Sequence, residues 1–462
     1  MFQLARGVVA LTYACAALVG WACAGTPVEI REKSQVGACE RVVIELKAKG
    51  LFREGPPPGA DAAGASKKVE SAQPLSLQVE TRLDFAERVT QVDDVGRPLR
   101  TARRVYQAAS AINGEIRPSS ASLRPEVAIL SATRREGAAI VFSPGGPLTR
   151  SELELVQGPG DPLTLAGLLP ARAVASGARW TVEDATARGL SGYDVLTSNG
   201  LEAELEEETP ARFKFRVAGT VKGSALGGEG SITFRGSFTF DRAAARIDQM
   251  TLDRDEIRSQ GPIEAGLEVK SMLTVARRTV EVPAELADAA LKDLPLVPEP
   301  ARLLLLLDPP GGKYTLLHDR DWHVFWDNTR QTVLRRLEKG LVVAQCNLSL
   351  GPNAGKGRHQ DLKQFREEVR AALGARFREF LGEGGVEGDP AEGFRHKVGV
   401  RGREGDLDVI WYYYLAASPE GEQLVAAFTL SASKMETFGA QDEQLLASLK
   451  WSMVDQKEKA SP

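Results

Sequence analysis

Between residues 211 and 282 the apolar side chains recur at every second position: Phe213, Phe215 and Val217, then Ile232, Phe234, Phe238 and Phe240. A period of two places them on one face of an extended chain and is incompatible with an amphipathic helix. Gly236 keeps the same parity, where a strongly bent strand wants no side chain. Turn sequences at 241–244 and Gly261-Pro262 divide the region, so the spacing predicts long segments joined as an antiparallel meander, with later strands at 246–259 and 267–280. Strands this long exceed the usual ~5–6 residues. They curl into a half-barrel, and the concave face must then be filled by a helix, a loop or a ligand.

Asp161 and Pro162 resemble a helix cap with its first-turn proline, and the short apolar stretch 163–170 behind them is the expected plug. Two uses of the concave face stay open. One is a sheet packed on its own helix; the other is an apolar pocket lined by Phe213, Phe215, Phe234, Phe238, Phe240, Leu165 and Leu168. Further strands are expected at 41–52, 75–92, 127–132 and 138–142.

The N-terminus bears on compartment. Arg6, an uncharged run over 7–24 and the triplet Ala22-Cys23-Ala24 read as a secretory signal peptide covering 1–24, which places the mature chain in the periplasm or outside the cell. A retained anchor and a lipidated Cys23 are the alternatives, although Gly20 stands where a lipoprotein signal carries Leu. No later run is long enough to span a bilayer. With 58 Lys and Arg against 62 Asp and Glu, the charge points to neither a nucleic acid nor an anionic membrane. Cys39 and Cys346 remain after cleavage, and whether they pair cannot be read from their positions.

Composition then divides the chain into a β-rich domain over 25–282 with a flexible loop at 53–73, a Pro-rich connection at 283–310, a second domain at 311–453 and a frayed tail at 454–462. In the second domain four strand patterns precede a helix in which Leu362, Phe365, Val369, Leu373, Phe377 and Phe380 recur at three- and four-residue intervals. Asp361 and Gln364 suggest a capping box, and Gly382 a stop. Three strands and a helix over 441–449 follow. The expected class is therefore α+β, a curved antiparallel half-barrel followed by an antiparallel α/β/α sandwich.

The Trp-bearing strands near Lys313–Val324, the amphipathic central helix, the aromatic run Trp411-Tyr412-Tyr413-Tyr414 and the closing Ser448-Leu449-Lys450-Trp451 make residues 302–451 resemble the PsbP-like fold. That resemblance implies an assembly or binding subunit and supplies no catalytic set. The strand lengths and short plug of the first domain are similar to the curved-sheet periplasmic carriers of the LolA and LppX kind, which implies an apolar cargo.

Reactive constellations are sparse. Gly351-Pro-Asn-Ala-Gly-Lys-Gly357 imitates a phosphate loop but has three residues between its first glycines and Gly357 in place of the metal-binding hydroxyl. Lys356, Arg358 and His359 still offer a small basic surface for an anion or a partner, and Tyr412 and Tyr414 a recognition surface if no helix covers them. Glu204 to Glu208 read as a solvated strand edge rather than a calcium site. The segment His318 to His323 reads as turn chemistry rather than a metal site. No metal and no cofactor is expected. The sequence thus favours an exported, non-enzymatic binding or assembly protein of the cell envelope, its partner an envelope protein or an apolar small molecule. A hydrolase with an interdomain site built on His359 or His396, and a self-assembling structural protein, are the alternatives.

Overall fold

The computed structural model describes residues 26–53, 73–115, 119–386 and 393–452. The expected leader and tail lie outside these residues, as does the 53–73 loop apart from its two end residues.

Within them the protein is mostly antiparallel β-sheet. The first sheet contains β1 (Cys39–Arg53), β2 (Leu75–Val92), β3 (Pro98–Gly114), β4 (Ser119–Ser122), β5 (Ile129–Arg135), β6 (Ala138–Phe142), β7 (Arg179–Thr181), β8 (Val195–Asn199), β9 (Glu202–Glu208), β10 (Arg212–Ala225), β11 (Gly228–Asp241), β12 (Arg246–Arg258) and β13 (Gly266–Thr279). Its order is β6-β5-β3-β2-β1-β13-β12-β11-β10-β9-β7, with β4 on β3 and β8 on β10. The meander is present in the register that the alternation requires: Phe213 faces Phe240 and Phe215 faces Phe238. A Cβ at Gly236 would lie 2.1 Å from the Thr251 carbonyl oxygen, which explains the missing side chain there.

One face of this sheet wraps a single core containing side chains from strands as far apart as β6 and β9. Three helices fill it: α1 (Arg150–Val156), α2 (Pro162–Leu165) with its 3₁₀ continuation Ala166–Leu168, and α3 (Asp184–Ser191). Asp161 caps α2 by accepting from the Leu163 amide, and Leu163, Leu165 and Leu168 are buried among the sheet's phenylalanines. α1 and α3 were not anticipated. α1 carries a complete capping box, Thr149 with Glu152.

The 283–310 segment is packed and not a loose connection. It contains α4 (Asp288–Leu291), and Leu286 is buried on the opposite face of the first sheet against Cys39, Ala86 and Ala102. Ser131 donates to the Leu296 carbonyl. In β14 (Leu305–Leu307), Leu305 belongs to the first core and Leu307 to the second. Cys39 and Cys346 are both free and buried, so no disulfide joins the two parts.

The second part holds β15 (Tyr314–His318), β16 (Trp322–Asp327), β17 (Gln331–Glu338), β18 (Leu341–Leu350), α5 (Leu362–Leu373), β19 (Phe377–Gly385), β20 (Phe394–Glu404), β21 (Leu407–Ala417), β22 (Gln423–Ser431), α6 (Met435–Phe438), α7 (Gln441–Ala447) and β23 (Lys450–Trp451). Seven of these strands form a sheet in the order β16-β17-β18-β22-β21-β20-β19, and β14-β15-β23 form a small one. α5 packs on Val398, Val400, Val409 and Trp411; α6 and α7 lie on the other face with Trp322, Tyr414 and Phe428.

The central helix is shorter than its periodicity predicts. It ends at Leu373 because Gly374 adopts φ +53°, and Phe377 and Phe380 continue the apolar spacing from strand β19. The capping box is also half formed: Asp361 accepts from the Gln364 amide at 2.9 Å, but the Gln364 side chain donates to Glu368. Asp361→Ala is expected to cost about 1 kcal/mol of stability. An unchanged urea midpoint would show that this cap contributes nothing.

Candidate functional site

The seven side chains expected to line an apolar pocket are packed against one another and against the plug. Phe213, Phe215, Phe234, Phe238, Phe240, Leu165 and Leu168 are at most 4% exposed. Phe215 and Phe238 stack at 4.5 Å, Phe213 lies 6.2 Å from Phe240, and Trp180 meets Phe215 edge-on. They are core, held shut by the plug. Two small spaces border the plug: a depression of about 230 Å³ beside Ile30, Ala166 and Leu169, and, between β1, β2, β13 and the α1–α2 connection, a crevice of about 100 Å³ walled by Ile44, Leu46, Leu83, Leu155 and Leu273. Binding cavities for small ligands run to about 300–1,000 Å³, so both are too small for one as they stand.

A depression of about 720 Å³ lies in the second part between β19 and α7. Register explains it. Gly382 faces Gly399 and Gly384 faces Lys397 across β19 and β20, and Gly399 in turn faces Tyr412 on β21. Those residues share one face of the sheet, so its edge there is a floor nearly free of side chains. A Cβ at Gly382, Gly384 or Gly385 would meet nothing within 4 Å. The far wall is the small and polar face of α7: Ala440, Glu443, Gln444 and Ala447.

Lys397 organises the groove. Its ammonium donates to Asp442 at 2.7 Å and Glu443 at 2.9 Å and rests 4.3 Å above the Tyr412 ring. Those two carboxylates hold the Lys397 pKa above its ordinary value against the effect of burial. Asp442 also accepts from the Tyr414 hydroxyl at 2.6 Å, and burial beside that carboxylate pushes the phenol far up. Tyr414 is therefore no recognition surface: α7 covers it completely. Tyr412, half-buried, does line the groove.

Lys356, Arg358 and His359 are exposed on the loop between β18 and α5, which Gly357 and Ala354 pin to the 418–421 turn. His359 stacks on Phe394 at 3.8 Å. The acidic run 204–208 lies on β9, between β10 and the short β7, where Glu204 pairs with Arg179 and Arg216 and Glu208 with Arg242. Among the described residues no group of His, Cys, Asp and Glu side chains has metal-ligating geometry. Asp319 closes a turn by accepting from the Asp321 and Trp322 amides.

The hydrolase arrangement requires a His joined to an acid and to a nucleophile. His318 and His359 bond only the carbonyl oxygens of their following residues, and no described histidine has a hydrogen bond to a carboxylate or a hydroxyl. Among the described residues no helix is long and apolar enough to cross a membrane.

No protein-family model and no curated protein matches the chain. Among solved structures it is similar to a protein of Bacteroides thetaiotaomicron at 13% identity and TM-score 0.23, over 32% of this chain and 48% of that one. It is also similar to lipovitellin at 8% identity and TM-score 0.32, over 54% of this chain and 26% of that one. The Ran-binding protein Mog1p of Saccharomyces cerevisiae matches at 19% identity and TM-score 0.23, over 31% of this chain and 85% of that one. The chain thus spans about half of the first of these and about a quarter of the second. Scores this low carry no inference about fold or function.

Proposed function

We propose that the protein is an exported, non-enzymatic binding protein of the cell envelope that recognises another envelope protein through the groove between β19 and α7. The observation that carries this reading is the glycine floor. It lets a partner's side chains approach the sheet backbone directly, in a depression of about 720 Å³ whose walls are already organised by Lys397 and Tyr412. Export rests on the leader pattern at 1–24, and the subunit role agrees with what the PsbP-like resemblance of residues 302–451 implies. We take the whole chain as α+β, with the first sheet a curved scaffold rather than a cargo pocket.

The edge of this sheet is itself a clue to the mode of binding. β19 is the last strand of its sheet, yet its pairing with β20 is broken by register shifts between Phe377 and Glu379 and between Phe380 and Gly382. Bulges of this kind discourage strand addition. Recognition therefore uses the face of the sheet rather than its edge.

Gly384→Trp places an indole in the groove from a position whose Cβ meets nothing within 4 Å. It is expected to leave the thermal midpoint unchanged and to lower partner retention on immobilised protein at least about tenfold, the equivalent of ~1.4 kcal/mol. Retention of the same partner at wild-type strength would remove the groove from the account.

A further inference from the structure

Glu40 on β1 and Glu87 on β2 sit directly opposite each other, and Glu87 sits directly opposite Arg103 on β3. Both glutamates are buried on the plug side of the sheet, 7% and 2% exposed. Like charges directly opposite one another in a sheet repel, and out of water two adjacent carboxyls do not both ionise.

The remaining partners close a belt around this pair. Arg103 holds Glu87 at 3.0 Å and grips Asp161, the cap of α2, through two bonds of 2.7 and 2.8 Å. Arg277 on β13 holds Glu40 at 2.8 Å and Glu32 at 2.6 Å, and Arg246 on β12 reaches Glu40 at 3.1 Å. On the opposite face of the sheet, the Cys39 thiol is pushed up to about 11 by burial and by the charge of both glutamates. Four carboxyls thus face three guanidiniums, and the belt is neutral only when one carboxyl keeps a proton.

We propose that the Glu40–Glu87 pair is a proton lock on the plug: while the two carboxyls share one proton, Arg103 holds Asp161, and loss of that proton to water releases Asp161 and the segment 158–170 from the concave face. The sheet carboxyls cannot leave, since their strands are paired on both sides. Asp161 can, because it stands on a helix of one turn. Burial, opposed by Arg103, raises Glu87 to about 7, so the lock opens within the range an envelope protein meets. Release would uncover Leu165, Leu168 and the phenylalanines beneath them.

The test is amide hydrogen exchange over 163–168, corrected for intrinsic exchange, at about pH 6 and about pH 8.5. In the wild-type chain protection should fall about tenfold or more at the higher pH. In Glu87→Gln, which stays neutral and keeps a hydrogen-bond donor, it should not. An unchanged wild-type profile, or the same fall in the variant, would overturn the proposal. If Glu87→Gln does not fold, infrared spectroscopy of the wild type decides: a protonated buried carboxyl band present at the lower pH and lost at the higher is expected, and its absence at the lower pH is contrary.

Discussion

Arg103→Met will destabilise the protein by about 3–5 kcal/mol, because it strips two buried carboxyls of their partner at once. Arg103 is 1% exposed, and its guanidinium serves Glu87 and Asp161 together while resting 4.8 Å from the Phe85 ring. Without it, Asp161 must leave the core, taking the start of α2 with it, or stay there at the cost of binding a proton or of an unpaired charge. Lys is not a substitute, since a single ammonium cannot reproduce the paired bonds to Asp161. Adding Asp161→Leu to Arg103→Met should recover a large part of the loss, because an apolar pair replaces a buried ion pair at little cost. Urea denaturation at neutral pH reads both effects. A loss below about 1 kcal/mol would show that the belt is not what secures the plug.

The second large effect lies where the two parts meet. Arg150 reaches from α1 to the carbonyl oxygens of Arg320 and Trp322, and Arg320 reaches back to that of Val141. His318 lies beside this exchange, 2% exposed, with its Nδ1 on the Asp319 carbonyl and its Nε2 without a partner. Burial first, and then the Arg150 charge, lower its pKa to about 4, opposed by Asp319; His323 nearby is lowered to about 4 for similar reasons. A base depressed in the folded state stabilises it fully above its ordinary pKa of 6.5 and loses that contribution as pH falls toward 4. The loss is on the order of 3 kcal/mol for His318.

Glu87 works in the opposite sense over part of this range, since a raised carboxyl adds stability as pH falls from about 7 toward 4.5. The difference between wild type and His318→Asn isolates the histidine. Asn keeps a donor to the Asp319 carbonyl but does not titrate. The two stability curves should converge as pH drops from 6.5 to 4, the wild type losing its advantage. Parallel curves would mean that His318 is protonated as readily in the folded chain as in the unfolded one.

Much of the fold was legible because alternation is a local signal. Phe213 to Phe240 announced the meander, and Asp161-Pro162 announced the plug. β3 was not, because its plug-facing positions include Thr101 and Arg103, polar residues that read as solvent-facing, and Asp161 and Glu87 meet Arg103 only in the folded sheet. The central helix was overextended because Phe377 and Phe380 keep its spacing past Gly374, whose left-handed backbone the spacing does not reveal. The candidate site was hidden for a different reason. Its floor, inner wall and far wall come from Gly382–Gly385, Lys397–Tyr412 and Ala440–Ala447, and only strand register brings them to one face. Tyr414 was offered as surface because its cover, α7, lies some distance along the chain. The proton lock was equally invisible, since Glu40, Glu87 and Arg103 become neighbours only through pairing.

The central claim is that recognition happens in the β19–α7 groove and not on the first sheet. It is tested most directly by a photo-crosslinking side chain placed at Gln444 and, in a second variant, at Asp253 on the solvent face of β12, each irradiated in the envelope of the producing cell. A discrete protein adduct from position 444, absent from position 253 and abolished by Gly384→Trp, is the result predicted here. No adduct from 444, together with stoichiometric lipid recovered from the first sheet, would contradict it.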